Sequence, residues 1–289
     1  MKIPSLIFIV FTLVLFGFYN YLLSSLQVEN VNYSKLEDAV LISHAGSGLD
    51  VGTYSNSKES LDQAAAYGYK YIEVDLNQTQ NGDWVLIHDW NKNYFKYFIH
   101  FPQFPKYFFA HEHSLPKTAL EFQNRKMRYN LTPMTLENLT DWLKKHPDVK
   151  IITDVKGSNY QCLETIKSMM DGRTDQIIPQ IYAPEEHQDI KALGYENIIL
   201  TVYNLRLNVE TLAQLADFSQ ANDLFAITVP QRWINQDIDT WRPDAGTHLF
   251  THTINNTAKA EHFKTLGVLG FYTDYIIPPQ ETEHLNKDE

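Results

Sequence analysis

Beyond residue 38 the apolar positions fall into short β-rich runs separated by segments with helical spacing. The strand-like runs are Val40–His44, Tyr71–Asp75, Lys150–Asp154, Gln176–Gln180, Asn197–Val202, Leu224–Val229, His248–Thr253 and Gly270–Thr273. Helical patterns fill most of the gaps, at Ser57–Tyr67, Leu136–His146, Gln161–Met170, Glu185–Leu193, Val209–Ala221 and Thr257–Leu266. Asn56 followed by Glu59 reads as the N-cap and N3 pair of the first helix. Alternating strands and helices predict a parallel sheet. Eight such strands over about 240 residues predict an α/β fold of the closed (β/α)8 type, a TIM barrel. The sixth unit is the weakest, because Gln231 to Gly246 offers only a short helical stretch.

The first 28 residues follow another pattern. Ile3 to Val28 contains no charged residue, and Leu6 to Phe18 is apolar except for Thr12 and Gly17. As a helix, Ile3 to Leu26 spans about 36 Å at ~1.5 Å per residue, enough to cross a bilayer. A cleaved signal peptide is the alternative, but no small-residue cleavage site follows the apolar run. Tyr19, Tyr21, Leu22 and Leu23 follow instead, and aromatics there suit a membrane interface. The expectation is one N-terminal transmembrane helix and a single-pass cell-membrane protein. Lys2, the only charge before the span, orients the bulk of the chain to the non-cytoplasmic side. The domain organisation expected is an anchor at 1–28, a linker at 29–38, a barrel at 39–280 with an insertion at 89–134, and a polar tail at 281–289.

Two segments interrupt the alternation. Asn81-Gly82, flanked by Leu76–Gln80 and Asp83–Ile87, is a strong hairpin signal and makes strand 2 the first arm of a β-hairpin extension. A two-residue loop there pairs Gln80 with Asp83 and sets Asp75 opposite His88. The second segment, Asp89 to Thr135, shows no clear barrel element. Trp90 to Phe109 carries ten aromatic residues in twenty, and Trp90 to Asn130 holds five Lys and two Arg against two Glu, a local charge of +5. This insertion reads either as a small unit with its own core or as a lid or membrane-facing surface for an anionic or lipid-like substrate.

The whole chain of 289 residues carries 24 Lys+Arg against 35 Asp+Glu, a net charge of -11. Such a surface repels phosphate backbones and argues against a nucleic-acid partner. At 44% hydrophobic the chain can bury a sizeable core, and one cysteine, Cys162, excludes both a disulfide framework and a Cys-rich zinc site.

Candidate chemistry collects at the C-terminal ends of the predicted strands, the face on which barrel active sites are built. Glu73 and Asp75 are two apart on one strand and share a face, while Ile72 and Val74 take the helix-facing side. Two carboxylates pointing into a barrel call for a cation. Asp154 and Lys156 repeat the spacing on the next barrel strand, and His44 closes the first. Glu73, Asp75 and Asp154 form a hard oxygen donor set suited to one divalent cation, Mg²⁺ or Ca²⁺. His44 and His88 flank it as a general acid and base, and Lys156 adds a positive charge for an anion. This constellation fits metal-assisted phosphoryl transfer with a general acid and a general base.

His44-Ala45-Gly46, Asn56-Ser57, Glu73-Val74-Asp75-Leu76, Thr79-Gln80-Asn81-Gly82 and Val85-Leu86-Ile87-His88-Asp89 resemble the glycerophosphodiester phosphodiesterase family in order and spacing. The similarity continues through Met134-Thr135-Leu136-Glu137, Asp154-Val155-Lys156, Thr253-Ile254-Asn255 and Gly270-Phe271-Tyr272-Thr273-Asp274. The resemblance implies a metal-dependent phosphodiester hydrolase on a barrel, whose substrate is a phosphodiester small molecule or a lipid headgroup. It matches Glu73 and Asp75 to metal ligands, His44 and His88 to the acid–base pair, and Lys156 to an anion-binding lysine. Two positions depart. Ala45 stands where the family usually has a phosphate-contacting Arg, and Asp154 stands where it usually has a Glu ligand. Arg206 and Arg232, after the fifth and sixth barrel strands, are the candidates to replace the missing arginine. An Asp at the third ligand position is also similar to the spider-venom phospholipase D enzymes, which act on lysophospholipid-like substrates. A silent phosphodiester-binding barrel is the reading from another class, and retention of both histidines speaks against it.

Overall fold

The computed structural model describes residues 36, 38–100, 115–203, 205, 209–234 and 248–279. The fold lies in a unit running from Ser34–Glu289. Nine strands form one sheet: β1 (Val40–Ser43), β2 (Tyr71–Gln78), β3 (Trp84–Leu86), β4 (Lys150–Val155), β5 (Ile177–Ile181), β6 (Ile199–Thr201), β7 (Ala226–Pro230), β8 (His248–His252) and β9 (Gly270–Thr273). All except β3 are parallel to their neighbours, and β1 pairs with both β9 and β2, so eight strands close into a barrel. Nine α-helices are described: α1 (Lys58–Ala66), α2 (Lys92–Phe98), α3 (Ala119–Gln123), α4 (Leu136–Leu143), α5 (Asn159–Met169), α6 (Glu186–Ala192), α7 (Val209–Asn222), α8 (Gln231–Ile234) and α9 (Thr257–Thr265). Helix α8, in the sixth unit, is four residues long. The segment Ile3–Leu26, expected to span a membrane, lies outside the described residues. Among the described residues no helix is long and apolar enough to cross one.

Strand parity divides the core in two. Ile42, Ile152, Ile178, Ile199, Ala226, Phe250 and Tyr272 fill the barrel interior, with Val40, Tyr71 and Phe225 packed against them. Ile72, Val74, Leu76, Ile151 and Val155 belong to the larger cluster between strands and helices. Tyr71 faces inward, so Glu73 and Asp75 do as well; Ile152 likewise sets Asp154 inward. Parallel pairing places Asp75 directly beside Asp154. Gly270 makes room for the ring of Phe250 on the adjacent strand: a Cβ at Gly270 would stand 2.0 Å from that ring.

Two local expectations are corrected. The N-cap of α1 is Ser57, whose hydroxyl accepts from the Ser60 N–H in a reciprocal capping box. Asn56 sits one position earlier at φ 48, its amide committed to Asp75. The β2–β3 ladder pairs Leu76 with Leu86, Asn77 with Val85 and Gln78 with Trp84, one residue off the expected register. The loop has three residues instead of two. Gly82 N–H donates to Thr79 O (3.0 Å), Thr79 N–H donates to Asp83 O (2.9 Å), and Gly82 closes the turn at φ 89. Ile87, not His88, therefore meets Asp75 through the backbone (3.0 Å).

The described part of the insertion has a core of its own. Tyr94, Tyr97, Phe98, Ile99, Phe122 and Met127 pack with Val85 and Ile87 of the hairpin arm.

Candidate active site

At the C-terminal ends of the strands lies a cavity of about 370 Å³ lined by His44, Tyr54, Asp75, His88, Asp154, Val155, Lys156, Tyr182, Tyr203 and His252. Glu73, one step deeper on β2, is 3% exposed. Carboxylate oxygens of Glu73, Asp75 and Asp154 all lie within 4.8 Å of one another. The donor set expected from the sequence is thus assembled at one point.

Each carboxylate is held in place. Ala45 N–H donates to Glu73 Oε2 (2.8 Å), with Ala45 in the left-handed region at φ 49. Asn56 Nδ2 donates to Asp75 Oδ2 (2.8 Å), and its Oδ1 accepts from the Asp75 N–H (3.0 Å). Lys156 Nζ lies 3.0 Å from Asp75 Oδ1 and 2.7 Å from Asp154 Oδ2. The Tyr182 hydroxyl hydrogen-bonds Asp154. Burial first, then the charge of Asp75, pushes the Glu73 carboxyl above the usual carboxylate range. Three carboxylates served by one ammonium are short of positive charge, and all their donor atoms are hard oxygens. The residues therefore fit a divalent cation. Lys156 is held charged: burial opposes its charge, but Asp75 and Asp154 raise its pKa above the ordinary lysine value.

His44 Nδ1 donates to Asp274 Oδ1 at 2.9 Å, with both side chains under a tenth exposed. Burial works against its charge, but the Asp274 hydrogen bond and the charges of Glu73, Asp274 and Asp75 outweigh it and lift the imidazole to about 9. Asp274 is fixed in turn by Asn255, whose Nδ2 donates to Oδ2 (2.7 Å) and whose Oδ1 accepts from the Asp274 N–H (2.7 Å). His88 Nδ1 donates to Asp89 Oδ2 at 3.0 Å. Both histidines thus have a carboxylate on Nδ1, which leaves Nε2 as the nitrogen for proton transfer.

The chain brings together His44, His88, Glu73, Asp75, Asp154 and Lys156. It does not bring Arg232: that residue is exposed on α8 and does not line the cavity. Arg206 lies outside the described residues. Four rings that strand-end reasoning passed over do line it. Tyr54 stands edge-on to both His44 (4.6 Å) and His88 (5.0 Å). His252, at the end of β8, stacks on His44 at 5.8 Å and meets Tyr203 edge-on at 4.4 Å. Burial, then the neighbouring charge of His44, drops the His252 pKa to about 4, so this ring is neutral. Tyr182 follows β5. The signal for His252 was available, since it ends a barrel strand as His44 does.

The family model described as "Glycerophosphoryl diester phosphodiesterase family" matches residues 44–277. No curated protein matches the chain. Among solved structures, a glycerophosphodiester phosphodiesterase from Parabacteroides distasonis is similar at 15% identity, with 82% of this chain and 93% of that one covered and a TM-score of 0.60. A phosphodiesterase from Oleispira antarctica, solved in complex with the product sn-glycerol-3-phosphate, is 18% identical over 84% of this chain and 95% of that one, with a TM-score of 0.60. A glycerophosphodiester phosphodiesterase from Agrobacterium tumefaciens is 12% identical over 82% and 96%, with a TM-score of 0.57. At these identities the structures speak for the fold.

Proposed function

The chain belongs to the glycerophosphoryl diester phosphodiesterase family and is a phosphoric diester hydrolase; from that premise we propose that it cleaves glycerophosphodiester-like or lipid-derived phosphodiesters, with His44 and His88 as the acid–base pair and a divalent cation on Glu73, Asp75 and Asp154. The observation that carries the reading is the juxtaposition itself. A three-carboxylate cluster within 4.8 Å shares one cavity with two histidines, each carrying a carboxylate on Nδ1.

The cation, Mg²⁺ or Ca²⁺, would supply a Lewis acid for a phosphoryl oxygen. The chain's own residues do the rest. Lys156 uses two of its three N–H donors on Asp75 and Asp154, leaving one for a phosphate oxygen. His44, whose Nδ1 is paired with Asp274, gives its Nε2 proton to the leaving alcohol oxygen as the P–O ester bond breaks. His88 takes the proton of the attacking oxygen. Where the substrate carries a hydroxyl beside the phosphoester, internal attack avoids a separate encounter. Such proximity supplies roughly 7–11 kcal/mol of the barrier, so a cyclic phosphate forms first and water opens it second.

Asp154, a methylene shorter than the Glu usual in the family, supports a second reading in which the substrate is a lysophospholipid and the cyclic phosphate is the released product. Single-turnover phosphorus NMR in ¹⁸O-enriched water, with glycerophosphocholine and lysophosphatidylcholine in parallel, separates the two. A persistent cyclic product from the lysolipid alone supports the second reading, and an opened product from the glycerophosphodiester supports the first. A first product that is acyclic and already carries solvent ¹⁸O excludes internal attack. The apolar run Ile3–Leu26 supports an anchor that holds the barrel at the non-cytoplasmic face of a membrane, close to such substrates.

A further inference from the structure

The aromatic insertion leaves its own core at two points to touch the catalytic side of the barrel, one just before α2 and one on it. Asp89, just before α2, accepts on Oδ1 from the N–H groups of Asn91 (2.9 Å) and Asn93 (3.2 Å), and on Oδ2 from His88 Nδ1. The same carboxylate that orients His88 is therefore built into the start of the helix. Further along α2, Tyr97 donates its hydroxyl to Thr53 O (2.6 Å) and Lys96 Nζ donates to the same oxygen (3.0 Å). Thr53 precedes Tyr54, whose ring stands edge-on to both His44 and His88.

The loop holding Tyr54 is closed at its ends by reciprocal Leu49–Gly52 backbone hydrogen bonds (3.1 and 2.8 Å) and by the Asn56 N–H donating to Ala45 O (3.2 Å). Gly52, Tyr54 and Asn56 all have positive φ, at 125, 64 and 48, and non-glycine residues persist there only when their surroundings fix them. Asn56 is fixed by Asp75. On the other side of Tyr54 the described fixings of Thr53 are the two from α2. The fit at Gly52 is close, since a Cβ there would stand 2.4 Å from Lys96 Nζ. Helix α2 is itself immobilised, with Tyr94, Tyr97 and Phe98 buried in the insertion core.

We propose that α2 is a splint for the acid–base pair: it orients His88 through Asp89 and, through the Thr53 carbonyl, holds the Tyr54 ring as a spacer that fixes His44 and His88 relative to each other. Tyr54 is on this view a positioning residue, acting by its ring and not by its hydroxyl. The proposal rests on reading His44 and His88 as the acid–base pair.

The test compares Tyr54→Ala, Tyr54→Phe and Tyr97→Phe in the full chain. It measures kcat and KM on glycerophosphocholine, thermal midpoint, and the ring resonances of isotope-labelled histidine. Misplaced catalytic groups lose about 10²-fold, so Tyr54→Ala should lose that in kcat with KM little moved, and the His44 and His88 resonances should broaden or split. Tyr54→Phe keeps the ring and should restore most of kcat. Tyr97→Phe removes one hydrogen bond and leaves that of Lys96 to Thr53 O, so it should lower kcat roughly two- to tenfold with only the small drop in midpoint that one lost hydrogen bond brings. Equal losses in Tyr54→Phe and Tyr54→Ala would show that the hydroxyl acts directly and overturn the splint. So would a Tyr97→Phe variant with unaltered kcat and unaltered histidine resonances. If Tyr54→Ala does not fold, Tyr97→Phe decides alone. If the wild-type chain turns over no diester, the functional reading falls, and the resonances still test the splint.

Discussion

Replacing Asp274 by Asn removes a charge from His44 while leaving an oxygen that can accept its Nδ1–H. In the wild type the His44 pKa stands at about 9 against an ordinary 6.5, a difference of ~3 kcal/mol in favour of the imidazolium. Asp274 makes the largest of the favourable contributions, ahead of Glu73 and Asp75, so its loss should lower that pKa by about 1–2 units, or ~1–3 kcal/mol. The sign follows from linkage. A folded-state pKa above the unfolded value gives stability that is fully present below about 6.5 and is lost as pH rises through about 9. The stability gap between wild type and Asp274→Asn should therefore be widest near pH 6 and shrink by roughly that amount by pH 10. Asp274 also binds Asn255 (2.7 Å), and the loss there is independent of His44 ionisation, so it remains as a constant offset. Urea unfolding of the full chain at pH 6 and pH 10, with an NMR titration of His44, reads both quantities. A gap equal at the two pH values, or wider at the alkaline one, would refute the assignment of Asp274 as the chief partner of a protonated His44.

Three further outcomes follow from the geometry. The Glu73→Ala/Asp75→Ala double variant should lose Mg²⁺ or Ca²⁺ binding in calorimetry, and unchanged binding would place the cation elsewhere. Gly270→Ala forces a methyl into the Phe250 ring, 2.0 Å from its nearest atom, and should cost about 1–3 kcal/mol in urea unfolding, in the range of core overpacking; a neutral result would mean that the barrel interior repacks freely. Deleting residues 1–28 should release a folded barrel into the soluble fraction, because the first strand begins at Val40. Aggregation of that variant, with salt alone releasing the full chain from membranes, would contradict an anchoring helix.

The barrel was legible because its strands are short β-branched runs bounded by polar turns. Every strand-like run lies on an observed strand, with ends shifted by at most three residues, the largest shift being at the end of Tyr71–Gln78. The carboxylate cluster was legible because a strand repeats every two residues, so Glu73-x-Asp75 had to share a face; the parallel register then sets Asp154 beside Asp75. What escaped depends on backbone geometry with no periodic signature. The hairpin register turned on Gly82 taking a left-handed φ in a three-residue loop, so His88 reaches the cavity by leaving the ladder instead of continuing it. Asn56 looks like an N-cap in sequence, and only the proximity of Asp75 shows why its side chain is used elsewhere. Tyr54 and Tyr203 sit in loops whose path a pattern of apolar residues does not encode. Arg232 was placed on the right face, but α8 directs it to solvent.

The central claim is that one cation and two histidines cleave a phosphodiester, and one phosphorus NMR time course tests it most directly. The full chain is incubated with glycerophosphocholine after EDTA treatment, then with Mg²⁺ or Ca²⁺ restored, beside His44→Ala and His88→Ala under the same conditions. The account predicts no cleavage after EDTA, recovery on adding the metal, and losses on the order of 10²–10⁴ in each histidine variant. Cleavage that survives EDTA, or full activity in both histidine variants, would contradict it.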